Sequence, residues 1–174
     1  GRWRFVDAFP TAQPGLRARG LRIYLPAAYA AEPERRFPVL YMHDGQNLFD
    51  ARDASFGVAW EVDDTLDDLT ARGLVEPVIV VGVDNTEDRI SDYTPSADPE
   101  WGGAGNAAAY GRFLVDELKP WIDTTFRTRC GRLDTAVAGS SLGGLVSLYL
   151  LKTWPEVFGR AGAFSPSLWW NGRE

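Results

Sequence analysis

Two rhythms alternate along the chain. Short runs of apolar residues are separated by stretches in which apolar positions recur at helical spacing. That alternation predicts an α/β fold built on a mostly parallel sheet. Residues 17–25 alternate and then meet Pro26, which predicts an early antiparallel strand. Residues 38–42 form a buried strand that runs into the polar turn His43-Asp44-Gly45-Gln46-Asn47. Val62, Leu66 and Leu69 then share one helical face. Acidic residues crowd the start of that helix, where the macrodipole favours them, and Gly73 ends it. Residues 77–83 are apolar on both faces, as a central parallel strand requires. A polar loop over 84–105 follows. Tyr110, Phe113, Leu114 and Leu118 mark a helix expected to end at Pro120. Residues 135–138 form a short strand, 142–154 a helix closed by Pro155, and Arg160–Phe164 the last strand. The segments 39–42, 78–83, 135–138 and 161–164 are expected to be neighbouring parallel strands, preceded by an antiparallel edge.

The segment Gly139-Ser140-Ser141-Leu142-Gly143 has the spacing G-x-S-x-G, directly after a small-residue strand and directly before an apolar helix. In that setting the motif is a nucleophile elbow. The turn is tight enough to strain the serine backbone, small neighbours prevent clashes, and the Ser141 hydroxyl is lifted above the sheet. The competing assignment is a glycine-rich turn in which Ser140 or Ser141 merely caps the helix. An oxyanion hole needs a second backbone N–H besides that of Leu142, and the turn after Met42 stands where that loop should be. Gly45 is expected to let the backbone bend so that the Gln46 N–H faces the site; the alternative is an ordinary polar loop leaving a strand.

Four segments, 40–50, 60–63, 139–145 and 164–170, together resemble the esterase D-like family of α/β-hydrolases. That group includes enterochelin- and feruloyl-type esterases. The resemblance covers nearly the whole chain. It implies an α/β-hydrolase fold, a three-layer sandwich around the sheet, and a serine carboxylic-ester hydrolase that works through an acyl-enzyme on Ser141. It also implies the N–H groups of Gln46 and Leu142 as the oxyanion hole. In this fold the acid and the base follow the nucleophile as Asp/Glu and then His. After Ser141 there is no His and no Asp, and Glu156 and Glu174 are the acids present. The expectation is therefore a single domain, 1–174, that is the N-terminal part of a hydrolase truncated before its last strands. Without a base Ser141 is a weak nucleophile. His43 precedes the nucleophile and is expected to hydrogen-bond the loop or pack beside the elbow rather than serve as base. His43, Asp44, Trp169 and Trp170 are candidates to line the substrate site, with core packing as the competing role of the two tryptophans. Trp101, in a glycine-rich segment with Gly102 and Gly103, carries the same ambiguity. Arg89 is expected to pair with a nearby acid.

Composition narrows the remaining choices. The chain has 174 residues, 45% of them hydrophobic, which suits one globular domain. Its net charge of −6 and lack of a basic cluster argue against nucleic acid or anionic lipid as partners. One cysteine (Cys130, expected as a free surface thiol) and one histidine exclude an internal disulfide and His- or Cys-rich metal sites. The residues 84–88 are carboxylate-rich, but Arg89 and Pro95 fall where a calcium loop needs glycine and glutamate. No metal and no organic cofactor is expected. The expected partner is a small-molecule or carbohydrate-linked ester. The absence of a signal-like segment in these residues favours the cytoplasm. A non-catalytic hydrolase-like binding module and an acyltransferase of the same fold are the alternatives.

Overall fold

A computed structural model describes residues 1–102 and 104–172. Gly103, part of the Trp101 segment, and Glu174, one of the two acids downstream of Ser141, lie outside the described residues.

Six strands form one sheet in the order β1-β2-β4-β3-β5-β6. They are β1 (Arg2–Phe9), β2 (Arg19–Leu25), β3 (Val39–His43), β4 (Ile79–Val83), β5 (Thr135–Ser140) and β6 (Arg160–Phe164). The four central and C-terminal strands, β4, β3, β5 and β6, are mutually parallel, as their apolar runs predict. β2 runs antiparallel to β4, and β1 antiparallel to β2. β4 shows why a two-faced apolar run means a central strand. Ile79, Val81 and Val83 enter one core and Val80 the other, and all are buried.

Those two cores make three layers. On one face α6 (Leu142–Thr153) packs with a long helical stretch made of α4 (Ala107–Arg112), a π-helical segment (Phe113–Leu118) and α5 (Lys119–Thr125). On the other face lies α2 (Val62–Ala71), whose Val62 and Leu66 cover Met42, Val80 and Ala138. Short helices α1 (Ala27–Ala31) and α3 (Arg89–Asp92) sit in loops. The fold class read from the sequence is the observed one.

Three details differ from the sequence expectation. β1 was not foreseen, because its side chains are exposed or half-buried throughout and show no clean alternation. The 84–105 loop contains α3. The helix marked by Tyr110 and Phe113 does not stop at Pro120. The π-helical segment precedes it, and Pro120 falls in the first turn of α5. The wider π-helical turn just before it, in which the Lys119 amide bonds the Leu114 carbonyl five residues back, lets the helix continue through a residue that has no N–H to give.

Candidate active site

Ser141 stands between β5 and α6 with φ 58° and ψ −120°, a conformation that non-glycine residues rarely adopt. The elbow predicted from the glycine spacing is therefore present. Gly139 explains how it closes: a Cβ there would lie 2.8 Å from the Gly143 carbonyl carbon and oxygen, so only glycine lets the strand end pass the helix start. Ser141 occupies the N-cap position of α6, yet its hydroxyl makes no cap hydrogen bond. Its Oγ instead lies 3.1 Å from Ser167 Oγ. That decides against the capping assignment, since a capping serine spends its oxygen on the helix amides.

The end of β3 forms the opposite wall. Asp44 carries the left-handed backbone of this turn, with φ 58° and ψ 48°, where the bend was expected at Gly45. Gly45 is required for a different reason: a Cβ on it would lie 2.7 Å from the Gly82 carbonyl carbon in β4. The 3-10 turn Gly45–Asn47 follows, and its own hydrogen bonds use the Asn47 and Leu48 amides. The Gln46 side chain faces away from this bonding, accepting from the Asn85 amide and donating to Ser55 Oγ. Asp44 is clamped by Arg89 at 2.7 and 2.8 Å and by Asn85 at 2.6 Å. This is the partner that the sequence assigned to Arg89 only as a nearby acid.

His43 is 2% exposed. A directional chain of hydrogen bonds reaches it. The Asp44 amide can only donate, and donates to Tyr93 Oη at 3.1 Å. Tyr93 in turn bonds Tyr110, whose Oη is 2.8 Å from His43 Nδ1. When each tyrosine donates onward, Nδ1 accepts and the proton rests on Nε2, a buried nitrogen with no hydrogen-bond partner among the described residues. Burial pushes the imidazole pKa down to about 3, against the pull of Asp44 and helped by Arg89 and Arg19. So weak a base, already engaged at Nδ1, is unsuited to take a proton from Ser141. Glu156 is exposed beyond the far end of α6 from the elbow.

The depressed histidine pKa has a consequence for folding. Between pH 6.5 and about 3 the unfolded chain binds a proton that the folded chain refuses, so stability from this group falls as pH falls through that window. The slope approaches about 1.4 kcal/mol per pH unit, and above pH 6.5 the effect vanishes. His43→Gln is expected to flatten the acid side of a stability profile measured by urea midpoints at pH 7, 6 and 5. Parallel profiles for the two chains would refute it.

Ser141, His43, Asp44 and Arg89 line one cavity of about 180 Å³. Its apolar wall includes Met42, Leu48, Phe56, Val58 and Trp60. Phe56, Val58 and Trp60 come from the segment between the Gly45–Asn47 turn and α2; Trp60 opens the resembling segment 60–63, while Phe56 and Val58 carried no signal beyond apolar content. Trp60 meets Phe164 edge-on at 5.4 Å. The tryptophan pair divides. Trp170 is 1% exposed and donates from Nε1 to the Ser96 carbonyl, so it is a core residue and not a lining one. Trp169 is exposed and meets Trp101 edge-on at 5.6 Å, and neither lines the Ser141 cavity. Cys130 is an exposed free thiol, as expected. No group of His, Cys, Asp or Glu among the described residues is arranged to hold a metal, and no described helix is long and apolar enough to cross a membrane.

Comparison with known proteins places these features in context. The profile of the family described as "Putative esterase" matches residues 16–174. An endo-1,4-beta-xylanase/feruloyl esterase of Xylanibacter ruminicola is 31% identical over 148 residues, 82% of this chain and 19% of that protein. The ferri-bacillibactin esterase BesA of Bacillus subtilis is 29% identical over 168 residues, 88% of this chain and 55% of that one. Among solved structures, an IroE-like serine hydrolase from Shewanella oneidensis superposes with a TM-score of 0.76 at 28% identity, covering 97% of this chain and 52% of that one. The chain thus spans little more than half the length of the last two relatives.

Proposed function

The chain belongs to this esterase family, and from that premise we propose that it hydrolyses carboxylic esters through an acyl-enzyme on Ser141. The observation that carries the proposal is the strained serine whose hydroxyl is withheld from helix capping and opens onto a cavity. In the first step Ser141 Oγ bonds the ester carbonyl carbon, its proton passes to a general base, and the carbonyl oxygen becomes an oxyanion. That oxyanion is received by the N–H groups of Leu142 and Gln46. Leu142 is the first residue of α6, so its amide is among the donors that a helix leaves unpaired. Gln46 belongs to the turn whose flanking residues Asp44 and Asn47 line the same cavity as Ser141. The base returns the proton to the departing alcohol, and water then releases the acid by the same steps in reverse. In this proposal His43 is not the base, since its Nδ1 is engaged by Tyr110 and burial lowers its basicity.

The cavity supports a particular kind of acyl group. Its wall is apolar, and its one lining cation, Arg89, is already matched by Asp44. A compact, uncharged acyl group fits; a free carboxylate there would lose hydration without gaining a free cation. Aromatic acids of the kind named for the feruloyl esterase relative meet the charge requirement. The exposed Trp101–Trp169 pair is suited to an alcohol part that is a sugar or an aryl group. The full natural protein is expected to cleave p-nitrophenyl acetate and to be labelled by a fluorophosphonate, while a p-nitrophenyl ester of succinate is cleaved at least tenfold more slowly. Faster cleavage of the succinyl ester would overturn the acyl assignment, and the lack of both cleavage and labelling would overturn the mechanism. Preferential transfer of the acyl group to added alcohol would move the protein to the acyltransferases.

A further inference from the structure

We propose that Ser167 is a second catalytic hydroxyl of this site, donating a hydrogen bond to Ser141 Oγ when that oxygen attacks and again when it leaves; the role rests on the acyl-enzyme reading above. Ser167 Oγ lies 3.1 Å from Ser141 Oγ, and among the described residues that oxygen is its one partner. Ser167 is 3% exposed, so its hydroxyl is shielded on its own side while Ser141 faces outward.

The main chain holds it there from several sides. The Ser141 amide donates to the Phe164 carbonyl at 3.0 Å, and the Ser167 amide donates to the Ser141 carbonyl at 3.1 Å. Between these two bonds the chain turns through Ser165, whose φ is 43°. Pro166 packs on the start of α6, where a Cβ on Gly144 would come within 3.1 Å of its Cα. The Ser167 carbonyl accepts from the amide of the buried Trp170. The hydroxyl therefore reaches Ser141 from a scaffold that does not depend on the hydroxyl itself.

In the resting site either hydroxyl can donate to the other. The balance changes when the general base removes the Ser141 proton. Ser141 Oγ then bears developing negative charge and can only accept, while Ser167 keeps its own proton and donates it along a fixed line. A hydrogen bond to a charged acceptor is stronger than one to a neutral hydroxyl, so the interaction favours the transition state over the ground state. After acylation Ser141 Oγ is an ester oxygen, a poor acceptor. When water attacks, that oxygen departs with the bonding electron pair, regains its proton from the base, and again accepts from Ser167 on the way. The Ser167 proton is never transferred.

The test uses the full natural protein with Ser167→Ala and Ser167→Thr. Ser167→Ala is expected to lower kcat for p-nitrophenyl acetate and the rate of fluorophosphonate labelling together, about 10- to 100-fold, with KM unchanged. Ser167→Thr returns a hydroxyl and is expected to restore both to within several-fold of the original. Thermal unfolding of Ser167→Ala close to that of the unaltered protein accompanies this result. Unchanged rates in Ser167→Ala, a loss carried only by KM, or a threonine variant as slow as the alanine one would each overturn the role of Ser167 while leaving Ser141 as nucleophile. An unaltered protein that neither labels nor cleaves esters overturns the acyl-enzyme reading, and the role of Ser167 with it.

Discussion

Replacing Ser141 by alanine in the full natural protein is expected to lower turnover of p-nitrophenyl acetate roughly 10⁴-fold or more and to abolish fluorophosphonate labelling. Loss of the nucleophile removes the covalent route and leaves only what binding and the oxyanion donors supply. The fold should hardly notice. Ser141 is exposed, and the hydroxyl's described partner is Ser167 alone. Alanine also keeps the Cβ that makes φ 58° costly, so the unfolding midpoint should stay within about 0.5 kcal/mol of the original. Glycine at the same position is the informative contrast. It tolerates positive φ, so Ser141→Gly should be as inactive as alanine yet more stable, by about 1–3 kcal/mol. Stabilisation by glycine with loss of activity would identify the elbow as a place where stability is given up for function. If Ser141→Ala keeps more than a few per cent of the activity, Ser141 is not the nucleophile.

The second large effect is expected at Gly139. A Cβ there meets the Gly143 carbonyl carbon and oxygen at 2.8 Å and its Cα at 3.0 Å, all of them backbone atoms that no side-chain rotation can move. Gly139→Ala must therefore push the end of β5 away from the start of α6. Overpacking of this kind costs about 1–3 kcal/mol, or roughly 2–4 °C in Tm per kcal/mol for a chain of this size. The displaced residues carry Ser141 and the Leu142 amide, and a shift near 1 Å at reacting atoms can lower kcat/KM roughly 100-fold. Gly131→Ala is the control. Nothing lies within 4 Å of its Cβ position and its φ is −71°, so both Tm and activity should stay near their original values. Equal behaviour of the two variants would mean that the close approach at the elbow relaxes freely.

These two glycine positions show where the chain can be read directly. Gly139 was legible because a strand of small residues, a glycine, a serine and a helix in immediate succession admit few geometries. The parallel strands were legible for a similar reason: β3 and β4 are buried on both faces, so their apolar runs are continuous. β1 was not, because an edge strand with exposed side chains need satisfy no pattern. The position of the bend at Asp44 was missed, since glycine is the usual owner of positive φ and stood next in the chain. Trp169 and Trp170 are neighbours in the chain, and a single residue step sends the first outward and the second into the core. Ser167 lay in the resembling segment 164–170, but nothing there pointed to Ser141, because its proximity arises only when β6 pairs beside β5.

The hydrogen-bond chain from the Asp44 amide through Tyr93 and Tyr110 to His43 has an effect on the population of molecules as a whole. A backbone N–H can only donate, so Tyr93 always spends one acceptor site on Asp44, which biases its own proton toward Tyr110 and the Tyr110 proton toward His43 Nδ1. His43 lines the cavity that Ser141 also lines, so this bias reaches the surroundings of Ser141. An imidazole without this bias would present a mixture of accepting and donating Nδ1 atoms to Tyr110. One peptide group at the end of β3 thus sets a preferred direction for the hydrogen bonds behind one wall of the cavity.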